Sequence, residues 1–365
     1  MNFTFSDVQE ELRRTIRRFC DEKSSSSEVR RLMETAEGFD EAVWKQMAQE
    51  LGLQGLAIPE MYGGQGASFV ELGIAMEEFG RALMCAPFFS SVCLAASAIL
   101  NAGTDEQKQT LLPGIASGER IATLAIAEPN GSWNENAIAC SESNGRLTGE
   151  KSYVIDGMTA HSLIVAARGA DGIGLYVADA DADGVSREPL DVMDATRKQA
   201  RVVLDSAPAM RLGDAGWPAV EKTLRQAMVM LAAEATGGAQ AALDMAVAYA
   251  KERHQFGRPI GQFQAIKHKC AEMLLKVESS KTAVYYAMWA AAEDNDELPI
   301  VSSLAKAYCT ESFFQVASDN IQVHGGIGFT WEHDAHLYYK RAKSSELLFG
   351  DPVEHRSKIA DLLGI

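Results

Sequence analysis

The sequence predicts a mainly α protein with a central β domain (α+β). It divides into an N-terminal helical domain over residues 1–118, a small β-barrel or sandwich over 119–214, and a C-terminal four-helix bundle over 215–365. Three observations predict it. Apolar residues recur at helical spacing as far as Gly118, short β-rich runs between turn residues follow as far as Gly213, and long helical patterns return from Trp217.

In the first stretch Val8, Leu12, Ile16 and Phe19 lie on one helical face, as do Leu72, Ala75, Met76 and Phe79. Ser6 or Asp7 can cap the first helix, and breaks fall at Pro59, Gly63-Gly64 and Pro87. In the second stretch Arg146–Thr148, Lys151–Ile155, Ser162–Ala167, Gly174–Val177 and Arg201–Leu204 read as strands. Gly145, Gly149, Asp156-Gly157 and Asp183-Gly184 punctuate them. In the third, Ala219–Lys251, Gln264–Asp294 and Pro299–His324 read as long helices, with shorter ones after Trp331. Pro299 suits a first helical position and Gly325-Gly326 a helix stop. Long helices joined by short links make a bundle.

Composition narrows the class of function. A chain of 365 residues, 47% hydrophobic and 23% charged, is ordinary for a soluble globular protein. No apolar run approaches the roughly 18 residues of a membrane span. The opening segment, with Asp7, Glu10, Glu11 and Arg13, is neither a secretory signal nor a transit peptide, so a cytoplasmic protein is expected. A net charge of -16 argues against nucleic acid as the partner. It does not exclude a small phosphorylated ligand, which a few arginines and helix ends can hold. The six cysteines are scattered without a CxxC pair, so they read as reduced, mostly buried thiols, with no metal site expected.

Two short segments carry chemistry. In Glu252-Arg253-His254-Gln255-Phe256-Gly257-Arg258-Pro259-Ile260, followed by Gln264, an arginine on a rigid turn offers a planar fork to a pyrophosphate. The adjacent aromatic can pack beside a flat ring. A basic helix end would account for Arg253 alone, but not for the turn that follows. In Gln322-Val323-His324-Gly325-Gly326-Ile327-Gly328-Phe329 the glycines let backbone amides approach a phosphate, and Gln322 adds a neutral donor.

Together with other segments in order, these resemble the acyl-CoA dehydrogenase family. The others are Leu51–Leu56 with Ile58–Gly64, Gly103–Lys108, Leu112-Pro113 through Gly118-Glu119, and Ala127-Glu128-Pro129. The resemblance runs from Phe5 to Ile365 and implies FAD, held between the β domain and the bundle and reaching a neighbouring subunit of a homo- or heterotetramer. Carried over, it places Arg253, Gln255 and Phe256 at the pyrophosphate and cofactor, with Gln264 nearby. It places Gln322, Gly325 and Gly326 at the pyrophosphate or adenosine across a dimer interface. Ile126 and Ala127 become backbone donors to the flavin ring, and Tyr153 stands where relatives often have Trp against the ring. The implied reaction is α,β-dehydrogenation of an acyl-CoA thioester. A carboxylate takes the α-proton, the β-hydrogen leaves as hydride to flavin N5, and electrons pass to electron-transfer flavoprotein.

The departure from the family pattern is the base. Relatives carry Glu in a YEG segment after R-x-A-K; here Phe349 takes that position in Arg341-Ala342-Lys343-Ser344-Ser345-Glu346-Leu347-Leu348-Phe349-Gly350-Asp351. The alternative site of some relatives falls at Ala227, also not an acid. Glu234, two turns further along nearly the same face among Leu231, Ala232, Ala233 and Ala235, is the leading candidate. Desolvation strengthens a buried carboxylate as a base, and its AAE…G helix resembles steroid-type and dicarboxylate-type dehydrogenases. A helix Glu paired with an Arg from another helix is the competing reading of Glu234. Glu346 and Asp351 are the other candidates, and a chain with no base is the fourth possibility.

Ser132-Trp133 in place of the usual acidic end of the EPGAGSD run, and Ile155 where Thr often supports the flavin, keep a second function class open. That class is a non-catalytic or half-site subunit of a heterotetramer. A flavin monooxygenase or oxidase on the same scaffold is a third.

Overall fold

The structure, a computed structural model, describes residues 5–365. In chain order it runs α1 (Asp7–Lys23), α2 (Ser26–Met33), α3 (Glu41–Gln49), α4 (Phe69–Ala82), α5 (Ser97–Ala102) and α6 (Asp105–Ala116). Strands follow as β1 (Ala122–Ala125), β2 (Ser141–Ser143), β3 (Arg146–Ile155), β4 (Ser162–Gly169) and β5 (Gly172–Asp179). Then come β6 (Val185–Pro189), β7 (Gln199–Pro208) and β8 (Met210–Arg211). The C-terminal part holds α7 (Gly216–Glu252), the ribbon β9 (His254–Gln255) and β10 (Arg258–Pro259), α8 (Gln264–Ala292), α9 (Leu298–His324), α10 (Ala335–Leu347) and α11 (Pro352–Leu363).

The helix–sheet–helix order matches the sequence expectation. The compact units do not follow chain order, however: one joins residues up to Arg30 with Phe69–Met84 and Met228–Ile365, and the other joins Arg31–Ser68 with Cys85–Ala227. The first unit gathers α1 and α4 onto the bundle because their polar residues need one another. Glu77 and Glu78 of α4 are buried and meet Arg13 of α1 at 3.0 and 3.5 Å, while Arg17 meets Glu78 at 2.7 Å. Tyr285 of α8 donates to both Glu77 oxygens at 3.2 Å. Burial lifts the Glu77 carboxyl despite Arg13.

Small residues let α4 and α7 cross backbone to backbone. A Cβ on Gly80 would lie 1.9 Å from the Glu234 carbonyl oxygen, and one on Gly237 would lie 1.8 Å from that of Glu77. This contact fixes the rotation of α7 about its axis at Glu234. Local signals set the helix ends. Ser6, not Asp7, caps α1 in a capping box with Gln9, and Asp351 caps α11 through the amides of Val353 and Glu354.

In the second unit the sheet order is β6-β7-β3-β2-β4-β5-β8, with β1 parallel to β4. The strand does not end at Gly149: β3 runs through it with a register shift between Leu147 and Gly149, and a Cβ there would lie 2.7 Å from Cys140 Cα. A second irregularity, between Lys151 and Val154, bulges the strand and re-aims its side chains. A buried π-helical segment, Phe89–Ala96, runs into α5 without any periodicity to announce it.

Candidate active site

In the second unit the segment after β1 is anchored from behind. Ile126 and Ala127 are buried. The fully buried Lys151 donates from Nζ to the Ile126 carbonyl at 3.0 Å and to Glu128 Oε1 at 2.8 Å, and Ser152 N donates to the Ala127 carbonyl at 2.9 Å. Glu128 also accepts from the amides of Ala139 and Cys140 at 3.0 and 2.8 Å. Burial alone would raise its carboxyl; the Lys151 hydrogen bond and these amides outweigh that and hold it below the usual range. Just past Lys151, at the bulge, Tyr153 takes φ +58° and is 41% exposed. An aromatic held in left-handed backbone is strained, and such strain concentrates where a ring must be aimed.

In the first unit Arg253 follows α7, with its amide on the Tyr249 carbonyl and its own carbonyl accepting from Ile260 N, both at 2.8 Å. The β9–β10 ribbon turns at Phe256, which is 91% exposed at φ +51°. Gln255 donates to the His254 carbonyl at 2.8 Å, and Gln264 opens α8 on the surface. At the end of α9, Gln322, Gly325 and Gly326 are exposed. A Cβ on either glycine would meet nothing within 4 Å, and Gly325 has φ +62°.

Each acid considered as a base is engaged. Glu234 is buried on α7 and its Oε1 accepts from Nη1 of buried Arg341 on α10 at 2.8 Å. Glu346 pairs with Lys343 at 2.6 Å. Asp351 is committed to its cap, whose amides hold its carboxyl below the usual range. Phe349 is buried at φ +63°. Its turn is clamped by Lys306, whose Nζ donates to the carbonyls of Glu346 and Gly350 at 3.0 Å each, and by His355, whose Nε2 meets the Phe349 carbonyl at 3.1 Å.

Residues 6–119 match the acyl-CoA dehydrogenase N-terminal domain and residues 214–363 the acyl-CoA dehydrogenase C-terminal domain. Acyl-CoA dehydrogenase IpdE2 of Mycolicibacterium smegmatis is 33% identical over 97% of this chain and 98% of its own length. The chain belongs to the acyl-CoA dehydrogenase family. Among solved structures, a variant of the Tcur3481-Tcur3483 steroid ACAD superposes at a TM-score of 0.90 with 31% identity, over 98% of both chains. The ChsE4-ChsE5 complex from Mycobacterium tuberculosis superposes at 0.92 with 26% identity, covering 100% of this chain and 99% of that one.

FAD is the cofactor of this acyl-CoA dehydrogenase, and the chain's surface fits it. Arg253 and Gln322 are exposed donors, and a Cβ on Gly325 or Gly326 after α9 would meet nothing within 4 Å. Phe256 is a large exposed apolar ring that meets Phe263 edge-on and leaves a face on which a flat ring can pack. Sequence reasoning did not reach the Glu128–Lys151 pair or the Lys306–His355 clamp. Lys151 stood within a quoted segment, but its partner lies 23 residues away, beyond any periodicity.

Proposed function

We propose that this chain works in FAD-dependent α,β-dehydrogenation of an acyl-CoA thioester, with electrons passing to electron-transfer flavoprotein. The observation that carries the proposal is the combination of an arginine turn ending in exposed Phe256 with an open glycine loop, the equipment for a dinucleotide flavin. Bound FAD supplies the hydride acceptor. Arg253 would hold the pyrophosphate; in the second unit Lys151 and Ser152 fix the Ile126–Ala127 backbone, which would donate to the flavin ring, and Tyr153 would pack against that ring.

Within this chain the proposed proton acceptor is Glu234, which would take the α-proton on Oε1 or Oε2 while Arg341 holds the carboxylate in place. One observation favours a second reading. All three candidate acids already have partners, and Phe349 fills the position where relatives carry Glu. In that reading the chain is a half-site subunit whose companion brings the base; its likeness to a chain of the ChsE4-ChsE5 complex, an assembly of two different components, supports looking for such a companion.

Anaerobic titration of the purified protein with a panel of CoA thioesters, alone and co-expressed with homologues encoded nearby, tests both. Bleaching of the flavin band by the single chain, abolished in Glu234→Gln that still holds FAD, supports the first reading. Bleaching only with a companion supports the second, and none in either preparation overturns the dehydrogenase proposal.

A further inference from the structure

Within the first unit, a stack of rings lies beside both FAD segments. Tyr249, one turn before Arg253 on α7, faces His324 with ring centroids 4.2 Å apart and planes at 28°. His333 packs on His324 with centroids again 4.2 Å apart. The chemistry on each side is direct. The Tyr249 carbonyl accepts the Arg253 amide at 2.8 Å. His324 immediately precedes Gly325, whose amide turns back onto Gln322 and Ile321.

The hydrogen bond to His333 specifies a neutral ring, and the one made by His324 fixes which nitrogen bears its proton. His324 Nδ1 lies 2.8 Å from the Asn320 carbonyl, so that nitrogen carries the proton. His333 Nδ1 accepts from Ala335 N at 3.1 Å, so it carries none. Protonating His333 therefore breaks a hydrogen bond and sets a second cation near Arg30, which donates to the Trp331 carbonyl at 2.5 Å and pairs with Asp334 at 2.7 Å. From α10, His336 lies against Trp331 and Lys340 sits over the same ring at 4.2 Å. Two acids flank His333 in the chain: Asp334, which Arg30 already holds, and Glu332, which accepts from Thr330.

We infer that Tyr249, His324 and His333 form a positioning stack that holds the Arg253 turn and the Gly325-Gly326 loop in one arrangement for FAD, and that charging its histidines loosens both. The inference rests on the FAD assignment and not on the dehydrogenation chemistry. Burial lowers the pKa of both histidines; for His324 the Asn320 hydrogen bond opposes this in part, and for His333 the nearby Asp334 does. The sign follows. Above the ordinary histidine value of 6.5 both states are neutral and the stack is intact. As pH falls below it, protonation favours the loosened arrangement.

The test is FAD release from the intact holoenzyme, followed by flavin fluorescence, from about pH 8 down to about pH 5. His324→Ala and Tyr249→Leu should release FAD about tenfold faster than the parent at the higher pH, as expected for losing one stacked pair. His324→Phe keeps a ring and should stay within about threefold. The double variant His324→Phe/His333→Phe should lose the acid-triggered acceleration that the parent displays. A folded His324→Ala protein, with parental circular dichroism and melting, that releases FAD at the parental rate overturns the inference. So does an unchanged acid step in the double Phe variant. No substrate is present, so a parent that holds FAD but is not bleached by acyl-CoA refutes the dehydrogenase proposal without touching this result.

Discussion

The Glu234–Arg341 pair gives the sharpest stability prediction. Both side chains are almost fully inside the first unit, with side-chain exposures of 6% and 2%, and the Nη1–Oε1 distance is 2.8 Å. Removing one partner of a buried pair strands the other charge, which costs about 3–5 kcal/mol. An unfolding entropy of about 2.1 cal/mol/K per residue, over a chain of 365 residues, makes each kcal/mol worth roughly 1.3 °C. Glu234→Gln and Arg341→Met should therefore each lower the melting temperature by about 4–7 °C in differential scanning calorimetry. Replacing both, as Glu234→Leu/Arg341→Met, removes the stranded charge and should recover most of that loss. Single variants melting within about 1 °C of the parent would refute the reasoning. The calorimetry also protects the catalytic test, because loss of bleaching in Glu234→Gln counts only well below that variant's own melting transition.

Other outcomes follow from the same geometry. Arg253→Ala should be purified with less flavin per chain, read from the ratio of visible to ultraviolet absorbance, with melting of the apoprotein unchanged. Lys151→Met frees the Ile126 carbonyl and leaves buried Glu128 with its two amide donors but no counter-charge, so it should lower the melting temperature by several degrees and alter the visible flavin spectrum. Burial brings Lys306 down to about 7 from 10.5. Between those values the unfolded chain binds the proton and the native chain does not, so the group's contribution to stability rises with pH. The stability of the parent relative to Lys306→Met should therefore improve from pH 7 to 9, by at most about 1.4 kcal/mol per pH unit in urea titrations. A flat difference would place the Lys306 titration elsewhere.

Helix and strand were legible where periodicity was long. The helix expected from Ala219 to Lys251 is α7, Gly216–Glu252, and the pattern from Pro299 to His324 is α9. Short elements such as β1, β2 and β6 went unread, since three to five residues cannot display a period. Gly149 read as a turn because glycine usually marks one; here it serves a close approach to Cys140 inside a strand. The segments proposed to hold FAD are local motifs, each a run of neighbouring residues in the chain. Arg341 as the partner of Glu234 was not legible, since the two are 107 residues apart. The pairing of helix Glu with an Arg was foreseen as a type, without its address. Periodicity tells which face is buried, and only the packed helices decide which charge meets it.

A flavin-bearing unit of an acyl-CoA dehydrogenase must have its flavin reduced by a CoA thioester. The most direct measurement is anaerobic stopped-flow absorbance at the flavin band, with FAD-loaded protein mixed against CoA thioesters, alone and co-expressed with homologues encoded nearby. Rapid bleaching by at least one saturated thioester is expected, with the matching 2-enoyl-CoA as product. A flavin that stays oxidised against the whole panel in both preparations would contradict that role.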